Sequence, residues 1–269
     1  MPSAPADLCI EARWILPMTA SLEALEHHTL VVRDGRILEV LPRAEALRAY
    51  APSLVVSRPA HALLPGLLNG AAVTESNSPS RSAARDAALA AIAALLRSGT
   101  TCGAIRGDDP LAIARAAADQ GLRAVVGLPL SGARRGARGA PEEMSHALAV
   151  RDEYQGHPLI STAFAPRDVN GTTDAAFTRI ATLAAELDAR LVVDLHEGTA
   201  QIDESLRLHG CRPLERLDAL GLLTPALNAV HMCRLSAEDP PDCEPDCPEL
   251  CCPEPGCPEL GWPDALWLP

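Results

Sequence analysis

From Leu67 onward the chain alternates between Ala/Leu-rich helical segments and short apolar strands, and this alternation constrains the fold more than any other feature. Alternation of this kind is typical of parallel βα units, which gather polar side chains at the carboxyl ends of their strands. Six such strands are predicted, near Leu67, Thr100, Arg123, Leu159, Leu191 and Leu227. We expect them to lie side by side and parallel in that order.

The fifth of these strands carries the clearest candidate site. Leu191–Leu195 is a short apolar run, interrupted near its end by Asp194 and followed by His196 and Glu197. A buried strand that ends in this way presents acids where parallel sheets place their chemistry. His196 falls between two inward-facing positions, so we expect a satisfied or outward-facing histidine there.

The remaining sequence divides into three parts. Residues 1–65 read as short strands with a hairpin turn at Asp34-Gly35, which predicts a small β-module. Residues 66–236 contain the βα units, with loops expected at Gly70–Arg85 and Ser131–Ala140. Residues 237–269 form an acidic, proline- and cysteine-rich tail that is expected to be disordered.

Composition excludes several kinds of function. All 23 basic residues are arginine, so no lysine can form a Schiff base, contact a phosphate in a P-loop or bridge two metals as a carbamate. The net charge of -12 argues against nucleic-acid binding, which needs a basic face. The N-terminus lacks a signal-peptide pattern, and no apolar run reaches membrane-spanning length, which predicts a cytoplasmic protein without membrane partners.

The tail differs in character from the rest of the chain. From Asp239 to Pro269 it holds eight acidic residues and no arginine. Its five cysteines lack the paired C-x-x-C spacing of zinc knuckles. Three interpretations stay open: a frame-shifted or degenerate gene end, a soft-metal binding segment, and an interaction segment. These cysteines are Cys243, Cys247, Cys251, Cys252 and Cys257.

Seven segments carry a recognisable pattern, and they lie at 61–69, 96–102, 122–129, 164–166, 195–205, 212–223 and 229–232. Together, and in this order, they resemble the amidohydrolase superfamily, in particular the methylthioadenosine/S-adenosylhomocysteine deaminases and related chlorohydrolases. The resemblance implies an α/β fold: an incomplete TIM-like (β/α) barrel with a small N-terminal β-sandwich module and an irregular Pro/Cys-rich C-terminal tail.

Family members use a divalent metal, usually zinc, to activate the water that displaces ammonia from an aminopurine-type ring. In this chain the first-strand pattern that supplies two histidine ligands reads Asn69-Gly70-Ala71-Ala72-Val73, so both imidazoles are missing. The fifth-strand histidine ligand is replaced by Asp194, a weak candidate for metal binding. The resemblance implies catalytic roles for Glu197 and His231 and a substrate-binding role for Arg167. The final aspartate ligand belongs to an eighth strand for which we find no counterpart.

The resemblance therefore implies a hydrolase of non-peptide C–N bonds, while the residues predict a pseudoenzyme with impaired or no catalysis and no bound metal. One alternative is an active hydrolase whose site is rearranged or completed by a partner chain. Another is a cysteine-rich interaction or metal-binding tail carried on an inert scaffold. The expected partner in the family is a small purine-type substrate. Open sheet edges on a truncated barrel also offer a route to a homodimer.

Overall fold

The computed structural model describes residues 4–19, 23–74, 81–130, 140–236 and Asp239. The chain divides between Gly66 and Leu67 into two compact units. The predicted tail, apart from Asp239, lies outside the described residues, as does the expected loop at 131–139. None of the helices in the described part is long and apolar enough to cross a membrane.

The N-terminal unit contains one five-stranded sheet and one short helix. The elements are β1 (Ala4–Ile15), β2 (Leu25–Glu26), β3 (His28–Arg33), β4 (Arg36–Pro42), α1 (Arg43–Ala49) and β5 (Tyr50–Leu63). Strand β5 pairs in parallel with β1, while β2 and β3 pair with β1 in antiparallel orientation and β4 pairs with β3. Asp34 and Gly35 both have positive φ values, 53° and 71°, as the predicted hairpin turn requires.

The second unit contains six parallel strands that lie in sequence order in one sheet, as predicted. The strands are β6 (Leu67–Thr74), β7 (Thr100–Gly107), β8 (Arg123–Leu130), β9 (Ile160–Pro166), β10 (Arg190–Leu195) and β11 (Leu227–His231). The helices are α2 (Arg81–Arg97), α3 (Pro110–Gln120), α4 (Ala140–Glu153), α5 (Asp174–Glu186), α6 (Thr199–His209) and α7 (Pro213–Ala219). Among the described strands, β6 and β11 end the sheet, and a homodimer through these edges stays a prediction.

The boundaries predicted for a loop at Gly70–Arg85 were wrong at both ends. Strand β6 continues to Thr74, because Ala72–Thr74 pair with Ile105–Gly107 of β7 after a break in register. Helix α2 begins already at Arg81. The small residues of this stretch have no hydrophobic period, so their strand conformation depends on the neighbouring strand and cannot be recognised locally.

The two faces of the parallel sheet bury different sets of residues. Leu191, Val193 and Leu195 of β10 belong to the large cluster formed with the helices. Val192 belongs instead to a small cluster with Ala163 and Val230. Because side chains alternate along a strand, Asp194 lies on the same inner face as Val192, one layer nearer the carboxyl end of the strand.

Candidate functional site

The carboxylate of Asp194 is the centre of the candidate site. Its Oδ2 accepts a hydrogen bond from Nη1 of Arg106, near the end of β7. Its Oδ1 lies 3.4 Å from Nε2 of His231, at the end of β11. Oδ1 is buried and accepts no hydrogen bond from the described residues. Three strand ends therefore meet at one carboxylate.

Arg106 reaches Asp194 because Gly127 leaves space above β8. A Cβ atom at Gly127 would lie 2.6 Å from Cγ of Arg106 and 3.1 Å from Cβ of Ala165. Contacts below 3 Å between carbon atoms are strongly repulsive, so any larger residue would displace the arginine. The side chains of Arg106 and Asp194 are only 15% and 26% exposed. This ion pair is largely shielded from solvent.

The backbone turns His231 towards Asp194. In the ladder, His231 pairs with Leu195, whose side chain packs on the helix side of the sheet. A regular strand would point the imidazole to that side as well. The φ values of His231 and Met232 are 77° and 53°, in the left-handed region that non-glycine residues seldom adopt. The amide of Met232 donates to the carbonyl of Leu195 at 2.9 Å, which fixes this turn.

Glu197 is exposed and belongs to the turn between β10 and α6. Gln201 holds both ends of this turn: its Nε2 donates to the carbonyl of Asp194 at 3.0 Å, and its Oε1 accepts from the amide of Glu197 at 3.4 Å. Sequence reasoning missed Gln201. The available signal was its place at the third position of α6, where Glu and Gln often reach back to the preceding backbone.

Arg167 lies at the same end of the barrel, but in a separate ion pair. Its Nη1 donates to the carboxylate of Asp108, which follows β7, and both side chains are substantially exposed. Among the described residues, no hydrogen bond or ion pair joins Arg167 to Asp194, Glu197 or His231. The structure therefore brings Asp194 and His231 together and leaves Arg167 apart from them.

The segment after β9 is anchored by Arg216, a buried residue of α7. Its guanidinium donates to the carbonyls of Val169 and Thr172, each at 2.7 Å, and to Oδ1 of Asp174. It also lies over the ring of Phe177, 5.3 Å from its centroid. A buried arginine with these partners fixes the path of the segment that begins at Arg167.

His196 was expected to be satisfied or outward-facing, and the structure contradicts the first of these alternatives. It is fully buried, and neither ring nitrogen makes a hydrogen bond of good geometry with the described residues. A positive φ of 52° turns it away from the inner face, and Nε2 lies 3.8 Å from Oδ1 of Asp239. Burial lowers the pKa of His196, although the charge of Asp239 and the backbone of Arg234 oppose this shift.

Asp239 is itself firmly held. It accepts hydrogen bonds from Nε and Nη2 of Arg212 at 2.8 and 3.0 Å, and from the amide of Ser236 at 2.7 Å. Burial alone would raise the pKa of Asp239, but these hydrogen bonds and the charges of His196 and Arg212 outweigh burial and lower it. The side chain of Asp239 thus connects the segment after β11 to the residues that follow β10 and precede α7.

The described residues do not fit a catalytic divalent metal. Catalytic zinc sites use three protein ligands, and the part of the chain that the structure describes has no group of three or more His, Cys, Asp or Glu side chains able to hold an ion. Asp194 and His231 supply only two donor side chains. A guanidinium already neutralises the carboxylate.

Comparison with known proteins places this geometry in context. Residues 58–249 match the model of the amidohydrolase family. The 5-methylthioadenosine/S-adenosylhomocysteine deaminases of Teredinibacter turnerae and Saccharophagus degradans are 34% and 32% identical to the chain. Each match covers 87% of this chain but only 59% and 58%, respectively, of the relative.

Solved structures show the same fold. An adenosine deaminase from Xanthomonas campestris with bound zinc superimposes with a TM-score of 0.80 at 34% identity, covering 87% of this chain and 60% of that protein. A guanine deaminase from Bradyrhizobium japonicum has a TM-score of 0.71 at 17% identity, covering 85% and 59%, which shows the fold alone. From the length of the family match and the identity to these relatives, the chain belongs to the amidohydrolase family.

Proposed function

We propose that this chain is an amidohydrolase-family barrel in which hydrolytic deamination is impaired or lost. The observation that carries the proposal is the ion pair between Arg106 and Asp194. Asp194 stands at the strand end where the family resemblance implies a metal-binding histidine. A carboxylate that is paired with a guanidinium is a poor ligand for a second cation, because the two positive charges repel each other.

The sequence of β6 supports the same proposal. Asn69-Gly70-Ala71-Ala72-Val73 offers no imidazole at the positions where the resemblance implies two more ligands. When it is bound, a divalent metal lowers the pKa of its water and so supplies the nucleophile for deamination. Glu197 and His231 would then hold or move a proton near that water. Without the metal, no activated water is present for Glu197 and His231 to exchange protons with.

One observation favours an active alternative, in which another chain completes the site. Glu197 and His231 lie at the ends of the adjacent strands β10 and β11, and Oδ1 of Asp194 is a buried acceptor without a described donor. Ligands from a partner chain would raise the number of protein ligands to the three that a catalytic zinc site uses. This alternative predicts activity only in an assembled state.

The test is the release of ammonia from 5-methylthioadenosine, S-adenosylhomocysteine and adenosine, with and without added zinc. Wild-type protein is expected to show little or no turnover above the background without enzyme, and added zinc should not raise it. His231→Ala and Glu197→Gln should give the same traces as wild type. Zinc-dependent turnover that falls at least about a hundredfold in Glu197→Gln would overturn the proposal, and turnover confined to an oligomeric fraction would favour the alternative.

A further inference from the structure

We infer that Arg106 takes the place of a cation at the barrel mouth, and that removing its charge opens a divalent-cation site formed by Asp194 and His231. The inference rests on the proposed function, since it explains why the wild-type mouth lacks a metal. In addition, one residue of β7 that the sequence did not single out, Arg106, keeps the metal out.

Two groups that can bind a metal ion meet at Asp194. The carboxylate offers one oxygen to Arg106, and its other oxygen faces the imidazole Nε2 of His231 at 3.4 Å. Carboxylate oxygens and imidazole nitrogens are both good ligands for zinc and related ions. Two such donors this close together need only a small adjustment to share an ion, with water filling the remaining positions.

The positive charge of Arg106 compensates the negative charge of Asp194. The carboxylate is three-quarters shielded from solvent, and its Oδ1 accepts no hydrogen bond from the described residues. Removing the guanidinium would leave this shielded negative charge uncompensated, which is unfavourable. Binding a cation from solution is the most direct way to relieve it. The same charge on Arg106 now repels any ion that approaches.

The sheet itself provides the space for the side chain of Arg106. Gly127 admits the aliphatic part of the arginine, where even one Cβ would lie 2.6 Å from Cγ. The guanidinium is thus held in place beside Asp194 rather than lying loosely at the surface. Because the side chain of Arg106 is buried and held in this position, its positive charge stays beside Asp194 and keeps metal ions away.

The test compares zinc and cobalt binding by wild type and Arg106→Met, measured by titration calorimetry and by metal analysis after gel filtration. Arg106→Met should bind about one additional equivalent, at least roughly tenfold more tightly than wild type, as expected for the loss of a unit charge beside the ligand. Adding Asp194→Asn or His231→Ala to Arg106→Met should abolish the gain. Arg115→Met, which breaks an exposed pair with Glu153 at 3.2 Å, is the matched control and should bind like wild type.

Cobalt spectra distinguish this site from the tail cysteines, because thiolate ligands give intense near-ultraviolet bands and Asp–His sites do not.

Arg106→Gln, which can still donate to Asp194, is the second variant if Arg106→Met folds poorly. Either neutral variant should fold when zinc is present, and one that stays unfolded with zinc contradicts the inference. An Arg106→Met protein that folds without gaining a cation also overturns it while leaving the proposed function intact. Wild-type protein with one zinc that Asp194→Asn removes would overturn both.

Discussion

Arg106 and Asp194 form an ion pair across the inner face of the parallel sheet, although two strands, β8 and β9, separate the strands that carry them. The pair therefore spans the curve of the sheet. His231 approaches the same carboxylate from β11. We expect the Arg106–Asp194 pair to contribute to stability, because it joins β7 and β10, which make no backbone hydrogen bonds with each other.

A double-mutant cycle measures that contribution. Arg106→Met and Asp194→Asn should each lower the free energy of unfolding by about 1–3 kcal/mol, between the values for exposed and fully buried pairs. The double variant should be less destabilised than the sum of the two, with a coupling energy of roughly 1–2 kcal/mol. Urea denaturation provides the measurement. Strictly additive effects would show that the pair does not stabilise the barrel.

Gly127→Ala tests whether the sheet is shaped around Arg106. The new Cβ would meet Cγ of Arg106 at 2.6 Å, so we expect a loss of about 1–3 kcal/mol and a weaker Arg106–Asp194 coupling. Gly198→Ala is the matched control, because a Cβ there meets no atom within 4 Å and φ is -159°. Equal effects of the two substitutions would contradict the proposed role of Gly127.

Arg216→Met should be among the most destabilising substitutions outside the apolar core. It removes donors from the carbonyls of Val169 and Thr172 and leaves Asp174 without its guanidinium partner. Leaving these two buried carbonyls without a donor costs about 1–3 kcal/mol each, whereas the carboxylate of Asp174 is 63% exposed and adds little. Arg179→Met, at an exposed position of α5, is expected to change the unfolding free energy by less than about 0.5 kcal/mol. Thermal denaturation of both variants and of wild type measures these differences in stability.

Asp239 makes stability depend on acidic pH. Its folded-state pKa is lowered, whereas an unfolded aspartate titrates near pH 3.9. The folded chain therefore gains stability from the ionised carboxylate above about pH 4, and this gain is lost as the pH falls through the folded-state pKa.

The difference in unfolding free energy between wild type and Asp239→Asn should accordingly be largest near neutrality and shrink below about pH 4. Urea titrations at a series of pH values measure this difference. Asp203→Asn, at an exposed position of α6, is the control for a general charge effect. A difference for Asp239→Asn that does not vary with pH would contradict the account of this contact.

The sequence predicted the parallel sheet well because its signal is local and repeated. Each strand of the βα region is a short apolar run next to a helical segment, and Asp194 could be placed at a strand end from that pattern alone. Arg106 could not be found in this way. It lies 88 residues from Asp194, and its neighbours Gly107 and Asp108 look like an ordinary loop. Only the curvature of the sheet brings its guanidinium to the carboxylate.

The errors have a similar origin. Residues 70–74 lack a hydrophobic period, and their strand conformation comes from pairing with β7. His196 was expected to be satisfied or outward-facing because it lies between two positions of the predicted site. Its left-handed backbone and the contact with Asp239, 43 positions later, bury it instead. Both outcomes depend on residues that are distant in sequence.

The central claim is that a guanidinium has replaced the metal at Asp194, and the metal content of the wild-type chain tests it most directly. Protein purified with zinc in all buffers, then gel-filtered, is analysed beside a variant with all five tail cysteines changed to serine. We expect well under one equivalent of zinc in the variant without tail cysteines, with no further loss in His231→Ala. One equivalent that persists without the tail cysteines and disappears in His231→Ala or Asp194→Asn would contradict it.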